Sequence, residues 1–223
     1  MKPILESLAR ILLFVLILAF WSWLIRQPYA PAADLIPIVG GPLLMLPIAW
    51  LGRRMLDRDP TPKNAERTTA IIHYLLVFLL GASVFRVVGT YRSWPEEKLP
   101  IPPEIGLVLV VLSGTVLAAT VANLAWKGLG APFAVALSRR LATDWMYAYT
   151  RNPMVLATLA FLFSAGLWIR SGFFLLWMLL LITPVWLWLV KVFEERELEI
   201  RFGSSYREYK SKTPMLFPRR PKP

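Results

Sequence analysis

An all-α, polytopic membrane bundle of about six spans is the fold this sequence predicts, and three observations predict it. Of 223 residues, 57% are hydrophobic, ten are Trp, and the mean hydropathy is +0.54. That is too apolar for an ordinary soluble domain. Apolar stretches recur at near-regular intervals, at 11–25, 35–52, 68–85, 105–126, 154–169 and 173–190. The basic residues also alternate by side: twenty of the 25 Lys and Arg fall at the N-terminus, in 53–69, in 127–153 and in 191–223. Cytoplasmic loops collect positive charge, so both termini are expected in the cytoplasm, most simply at a bacterial inner membrane.

A hydrocarbon core of about 30 Å needs roughly twenty helical residues, a length that only 105–126 reaches unaided. The others need flanking residues, snorkelling Arg or Lys, or a locally thinned bilayer. The first stretch, after Lys2 and Arg10, has a cleaved leader as its rival reading, with Tyr29-Ala-Pro-Ala32 as the cleavage region. Pro31 argues against cleavage, and Trp21 and Trp23 suit an interfacial anchor, so a permanent helix is expected. Pro37, Pro42 and Pro47 interrupt the second stretch. They predict a kinked helix buried among neighbours, where freed carbonyls find other donors. Asp57 to Asn64 is a polar, turn-rich connector, and Arg92 to Pro103 a Pro-rich outward cap.

The fourth span should stop in Trp126-Lys-Gly-Leu-Gly-Ala-Pro-Phe133, where Gly128 and Gly130 suit a helix end or a ligand-contacting turn. Spans five and six are joined only by Arg170-Ser171-Gly172 and must form a tight antiparallel hairpin, 154–190. That hairpin sets Arg151 to Met154 beside Lys191 to Glu195 at one membrane face. Phe193 to Phe202 should continue as a helix. Gly203 should end it, and Ser205-x-x-Glu208 should cap a further short helix carrying Tyr206 and Tyr209 on one face. The organisation expected is an N-terminal membrane part, 1–126, followed by 127–223 with a cytosolic loop, the hairpin and a cytosolic tail.

The net charge of +11 needs no nucleic acid, because a basic face against anionic lipid headgroups accounts for it. With no Cys, disulfides, thiol nucleophiles and sulfur metal ligands are excluded, and no metal site is expected. The central spans show no paired charges, which argues against a transporter.

The residues able to carry chemistry gather where the hairpin begins and ends: Tyr147, Tyr149, Arg151, Asn152, Glu194 and Glu195. Taken singly, Arg151 reads first as a topology determinant and only second as a ligand for an anion. Glu194-Glu-Arg-Glu197 reads as a solvated helix with a Glu197–Arg201 pair at i,i+4. Two adjacent carboxylates in so basic a segment nevertheless call for a reason. His73, the only histidine, reads as a packed, hydrogen-bonded residue of span three, remote in sequence from these groups.

Two stretches carry a resemblance. Thr143-Asp-Trp-Met-Tyr-Ala-Tyr-Thr-Arg-Asn-Pro-Met154 and Glu194-Glu-Arg-Glu-Leu-Glu-Ile-Arg-Phe-Gly-Ser-Ser-Tyr-Arg-Glu-Tyr209 are similar to the paired motifs flanking the last hairpin of integral-membrane methyltransferases. The family is the isoprenylcysteine carboxyl methyltransferase and phospholipid N-methyltransferase superfamily, and the resemblance covers roughly residues 125–218. It implies S-adenosylmethionine held at the cytosolic face by Tyr147, Arg151, Asn152, Pro153, Met154, Glu194 and Glu195, with Arg151 and Glu195 the residues implied in catalysis. The acceptor it implies is a small lipophilic molecule or lipid entering from the bilayer, an isoprenylcysteine-type carboxylate first. The chain departs from the pattern at Trp145 and Ala157, where Gly is usual, at Val155, where Tyr is usual, and at Asn152, where His is common. The first three departures should narrow or reshape the pocket. They motivate an alternative, a non-catalytic scaffold or partner subunit that keeps the fold. A nicotinamide-dependent membrane reductase is a weaker alternative.

Overall fold

The computed structural model describes residues 2–94, 97–127 and 140–220, with the side chains of 2–7 and 10 left aside. Its described residues form helices and connectors, with no strand among them. We number the helices α1 (Lys2–Leu24), α2 (Pro31–Arg58), α3 (Pro62–Thr90), α4 (Pro103–Lys127), α5 (Met146–Tyr149), α6 (Pro153–Trp168) and α7 (Gly172–Lys212). Each of the six expected apolar stretches falls inside one helix of this series. Helices α2, α3, α4 and α7 are long and apolar enough to cross a membrane, while the apolar parts of α1 and α6, Ile11–Leu24 and Pro153–Trp168, are shorter. The turn at Gly128 and Gly130 lies outside the described residues.

Helix α2 behaves as its prolines require. Pro42 has no N–H to offer the carbonyl of Ile38 four residues earlier. The helix widens there to a π-helical turn, Ile36–Gly40, and Ile38 O accepts from Ser83 Oγ of α3 at 2.9 Å and Trp177 Nε1 of α7 at 2.8 Å. Three helices are thereby joined at one backbone atom. The same layer carries the main core, including Met45, Leu56, Val87, Met178, Ile182 and Phe193. Helices α4 and α6 pack separately as an antiparallel pair. Gly106 makes this possible, since a Cβ there would collide with the backbone of Leu167 and Trp168.

The hairpin turn is as short as expected, with Arg170 taking a positive φ of 59° and Ser171 Oγ capping α7 by accepting from Phe174 N at 3.0 Å. The Pro-rich cap folds onto it: Leu99 N donates to Arg170 O at 3.0 Å and Arg170 Nε to Leu99 O at 2.8 Å. Beyond the hairpin, α7 runs on as far as Gly203. A second π-helical turn, Val190–Glu194, lies where it leaves the apolar stretch.

Gly203 (φ 56°, ψ −125°) interrupts α7 as expected: two helices meet there at a kink, and the second carries the buried Tyr206 and Tyr209. Two expectations need correction here. The central spans do hold a buried ion pair. Arg86, 1% exposed, donates from Nε to Asp34 Oδ1 at 2.6 Å, and its remaining nitrogens donate to Leu24 O, Gln27 O and Pro28 O. Arg86 is thus the sealed core of a connector and no loop charge. Nor is Glu194-Glu-Arg-Glu197 a solvated face: Glu195 and Glu197 are 8% and 4% exposed, because α7 there lies against α3 and the chain's C-terminal segment.

Candidate functional site

The site is a corner where three pieces of chain meet: residues 144–154, the emerging part of α7, and the tail after α7. The tail straps the corner together. Arg151 N donates to Pro214 O at 2.9 Å and Arg219 N to Tyr149 O at 3.0 Å. Asn152 Nδ2 donates to Met215 O at 2.9 Å, and Thr150 Oγ1 donates to the same oxygen at 3.2 Å. Tyr209 Oη donates to Tyr147 O at 2.6 Å, and Tyr206 beside it is buried. Pro153 is the first residue of α6 and is buried, a position that suits proline because the N–H it lacks would have no helical partner.

At the centre is Arg151. Its Nη2 donates to Glu195 Oε1 at 2.5 Å, and its Nη1 to the carbonyls of Lys210 at 2.8 Å and Thr213 at 3.2 Å. It therefore gathers the last, unpaired carbonyls of α7 as well as a carboxylate. Its Nε is buried with no hydrogen-bond partner. Glu195 also meets Lys210 Nζ at 2.8 Å. The neighbouring carboxylate, Glu194, is placed quite differently. It points to the α3 side, where it faces His73 Nε2 at 3.8 Å, and desolvation pushes it up to about 7. Tyr147, also buried and facing the Glu194 charge, is pushed up to about 12.

His73 is the residue that sequence reasoning placed wrongly. It is hydrogen-bonded as expected, to Thr69 O at 2.9 Å, but α3 brings it to the motif. A carbonyl only accepts, so Nδ1 carries the proton in that bond and Nε2 turns its lone pair toward Glu194. No local signal marked this, because the pairing depends on how α3 packs against α7. Asp57 was missed for the same reason: from the last turn of α2 it binds Arg53 and, at 2.8 Å, Arg196 of α7.

Of the departures, Trp145 does not narrow a pocket, since it is 69% exposed. Its backbone has φ 51° and ψ −120°, a region that glycine occupies readily and other residues only under strain. Val155 and Ala157 are buried on α6. Next to the strap, an open cleft of about 580 Å³ lies between α7 and the tail, lined by Pro184, Trp188, Lys191, Met215, Phe217 and Arg219 among others. Among the described residues no cluster of His, Cys, Asp or Glu has the makings of a metal site.

A bundle whose described residues are all helix and connector, with four helices long and apolar enough to cross a membrane, defines the class, an integral-membrane protein. Residues 103–205 match the family model for phospholipid methyltransferase. That segment holds the first motif and most of the second, so this part of the chain carries the pattern of the isoprenylcysteine and phospholipid methyltransferase superfamily. Neither the comparison with curated proteins nor that with solved structures gave a match.

Proposed function

We propose that this protein transfers a methyl group from S-adenosylmethionine to a lipophilic acceptor at the cytosolic membrane face. The observation that carries the reading is the unequal pair Glu194 and Glu195, inside the segment that matches a methyltransferase family. Glu195 is fully engaged in holding the corner, while Glu194, its side chain 20% exposed, faces only a histidine edge at 3.8 Å among the described residues. A largely desolvated carboxylate so weakly paired suits a cation. The cofactor brings two, an ammonium and a sulfonium, and when bound supplies an electrophilic methyl carbon. Arg151 Nε, buried and orphaned, suits its carboxylate. Arg151 and Glu195 hold the pocket in register, and in an in-line displacement positioning supplies most of the rate.

For the acceptor, the apolar cleft with Lys191 and Arg219 among its lining residues favours an anionic lipid-like molecule, a carboxylate of the isoprenylcysteine type, which needs no general base. One observation favours a second class. The lone pair of His73 Nε2 beside Glu194 suits removal of a proton from an amine headgroup.

Calorimetry with S-adenosylmethionine in detergent tests the proposal on the wild type, Glu194→Gln and Arg151→Ala. Glu194→Gln should weaken binding about tenfold or more at undiminished thermal stability, since it breaks no hydrogen bond of the fold. Arg151→Ala should lose both binding and stability, because it strands the Glu195 carboxylate and two carbonyls. A folded wild type that fails to bind the cofactor at millimolar concentration would sink the idea and leave the scaffold alternative.

A further inference from the structure

Asn123, one turn before the end of α4, is 3% exposed, yet neither its Oδ1 nor its Nδ2 has a hydrogen-bond partner among the described residues. A primary amide in this state costs stability at both ends. Helix-packing asparagines in membranes hydrogen-bond across the interface, and this one does not. A position that is costly to the fold and offers a donor and an acceptor side by side is explained by a ligand that completes both.

The register of α4 against α6 says where that ligand lies. Ser113 Oγ donates to Ser164 Oγ at 3.4 Å, a Cβ on Gly114 would touch the ring of Phe161, and Gly106 abuts Leu167 and Trp168. Ten residues beyond Ser113, roughly 15 Å along the axis, the same antiparallel register brings Asn123 level with residues 151–154. The unsatisfied amide is thus on the level of the Arg-Asn-Pro-Met motif, where Arg151 Nε is also without a partner.

Resting on the methyltransferase reading, we infer that Asn123 hydrogen-bonds the adenine edge of the cofactor. The charged groups of the corner suit the cofactor's charged amino-acid end. A neutral amide suits the neutral base, whose exocyclic N–H and adjacent N7 present a donor-and-acceptor pair that the amide oxygen and N–H of Asn match in bidentate fashion.

The test compares S-adenosylhomocysteine with S-inosylhomocysteine, in which an oxo group replaces the exocyclic amine and so exchanges a donor for an acceptor. Binding of each is measured by calorimetry to wild type, Asn123→Leu and Asn123→Ala, with the Tm of each protein free of ligand. The wild type should prefer the adenosyl compound about tenfold or more. Either variant should narrow that preference to within about twofold, with an unliganded Tm equal to or above the wild type's. A wild type that binds both compounds equally overturns the inference and leaves the methyltransferase reading intact. So does a variant that keeps the preference, whatever its Tm. If the folded wild type binds neither compound, the methyltransferase reading fails and this inference falls with it.

Discussion

Trp145 and Gly203 share a backbone conformation, with φ 51° and ψ −120° at one and φ 56° and ψ −125° at the other. Only one of them is glycine. A side chain held in that region costs on the order of 1–3 kcal/mol, and the ring of Trp145 recovers little, being mostly exposed. Trp145→Gly should therefore stabilise the protein by about 1 kcal/mol, net of the greater freedom glycine gains when unfolded, which a thermal melt will register as a rise of a few degrees. The motif pattern already flagged position 145 as a departure. It expected a changed pocket, however, because a motif records which residue is usual and says nothing of the φ that makes it usual. Arg151 gives the converse lesson. Its place at the corner was legible from the shortness of the hairpin turn, whereas its engagement with Lys210 O and Thr213 O was not, since these are backbone atoms sixty residues away that any sequence would supply.

At the scale of elements, the prolines of α2 were the most readable feature, and the reason is physical. A missing N–H must free a carbonyl, and a freed carbonyl in a bilayer must find a donor. What the sequence leaves open is which donors. They prove to be Ser83 and Trp177, from two different helices. Removing both in the double variant Ser83→Ala, Trp177→Phe should strand the Ile38 carbonyl and cost about 1–3 kcal/mol. Either single change should cost less than half of that, because the other donor remains. A double-mutant cycle on thermal or denaturant unfolding in detergent measures the coupling. Gly203 was legible as the break between two helices, because its φ of 56° is one that glycine takes at little cost. The direction of the second helix was not legible, since it is fixed by the burial of Tyr206 and by Tyr209, which donates to Tyr147 O.

Across the whole molecule, the helices legible one at a time left their mutual packing unread, and the site depends on that packing. His73 reaches Glu194 only because α3 lies beside α7, and Asp57, expected in a merely topological connector, reaches Arg196 from the last turn of α2. The buried Glu194 also sets a pH dependence for the protein as a whole. Its carboxyl titrates near 4.5 when unfolded and is raised to about 7 by burial. The folded state therefore holds a proton that the unfolded state has released, and stability from this group falls as pH rises between about 4.5 and about 7. In the proposed function the ionised form meets the cofactor's cation, so affinity should move the opposite way, strengthening from about pH 6 to about pH 8. Glu194→Gln should flatten both profiles, and melts with calorimetry across that range would show whether it does.

Helix α7 has one more consequence. From Gly172 to the kink at Gly203 it makes a rod of roughly 45 Å at a rise of 1.5 Å per residue, running from the hairpin turn to the corner. A partner helix in that hairpin, α6, has only 16 residues, or about 24 Å, less than an average hydrocarbon core. A thick bilayer leaves α6 too short, and since tilt would only shorten its reach further, the relief is local thinning where α6 begins. That is the end at which Glu195 meets Arg151 and the strap, so the load falls on their alignment. Membrane thickness itself thus becomes a setting on the proposed cofactor corner. Reconstituted into vesicles of increasing acyl length, the protein should bind the cofactor best in the thinner ones.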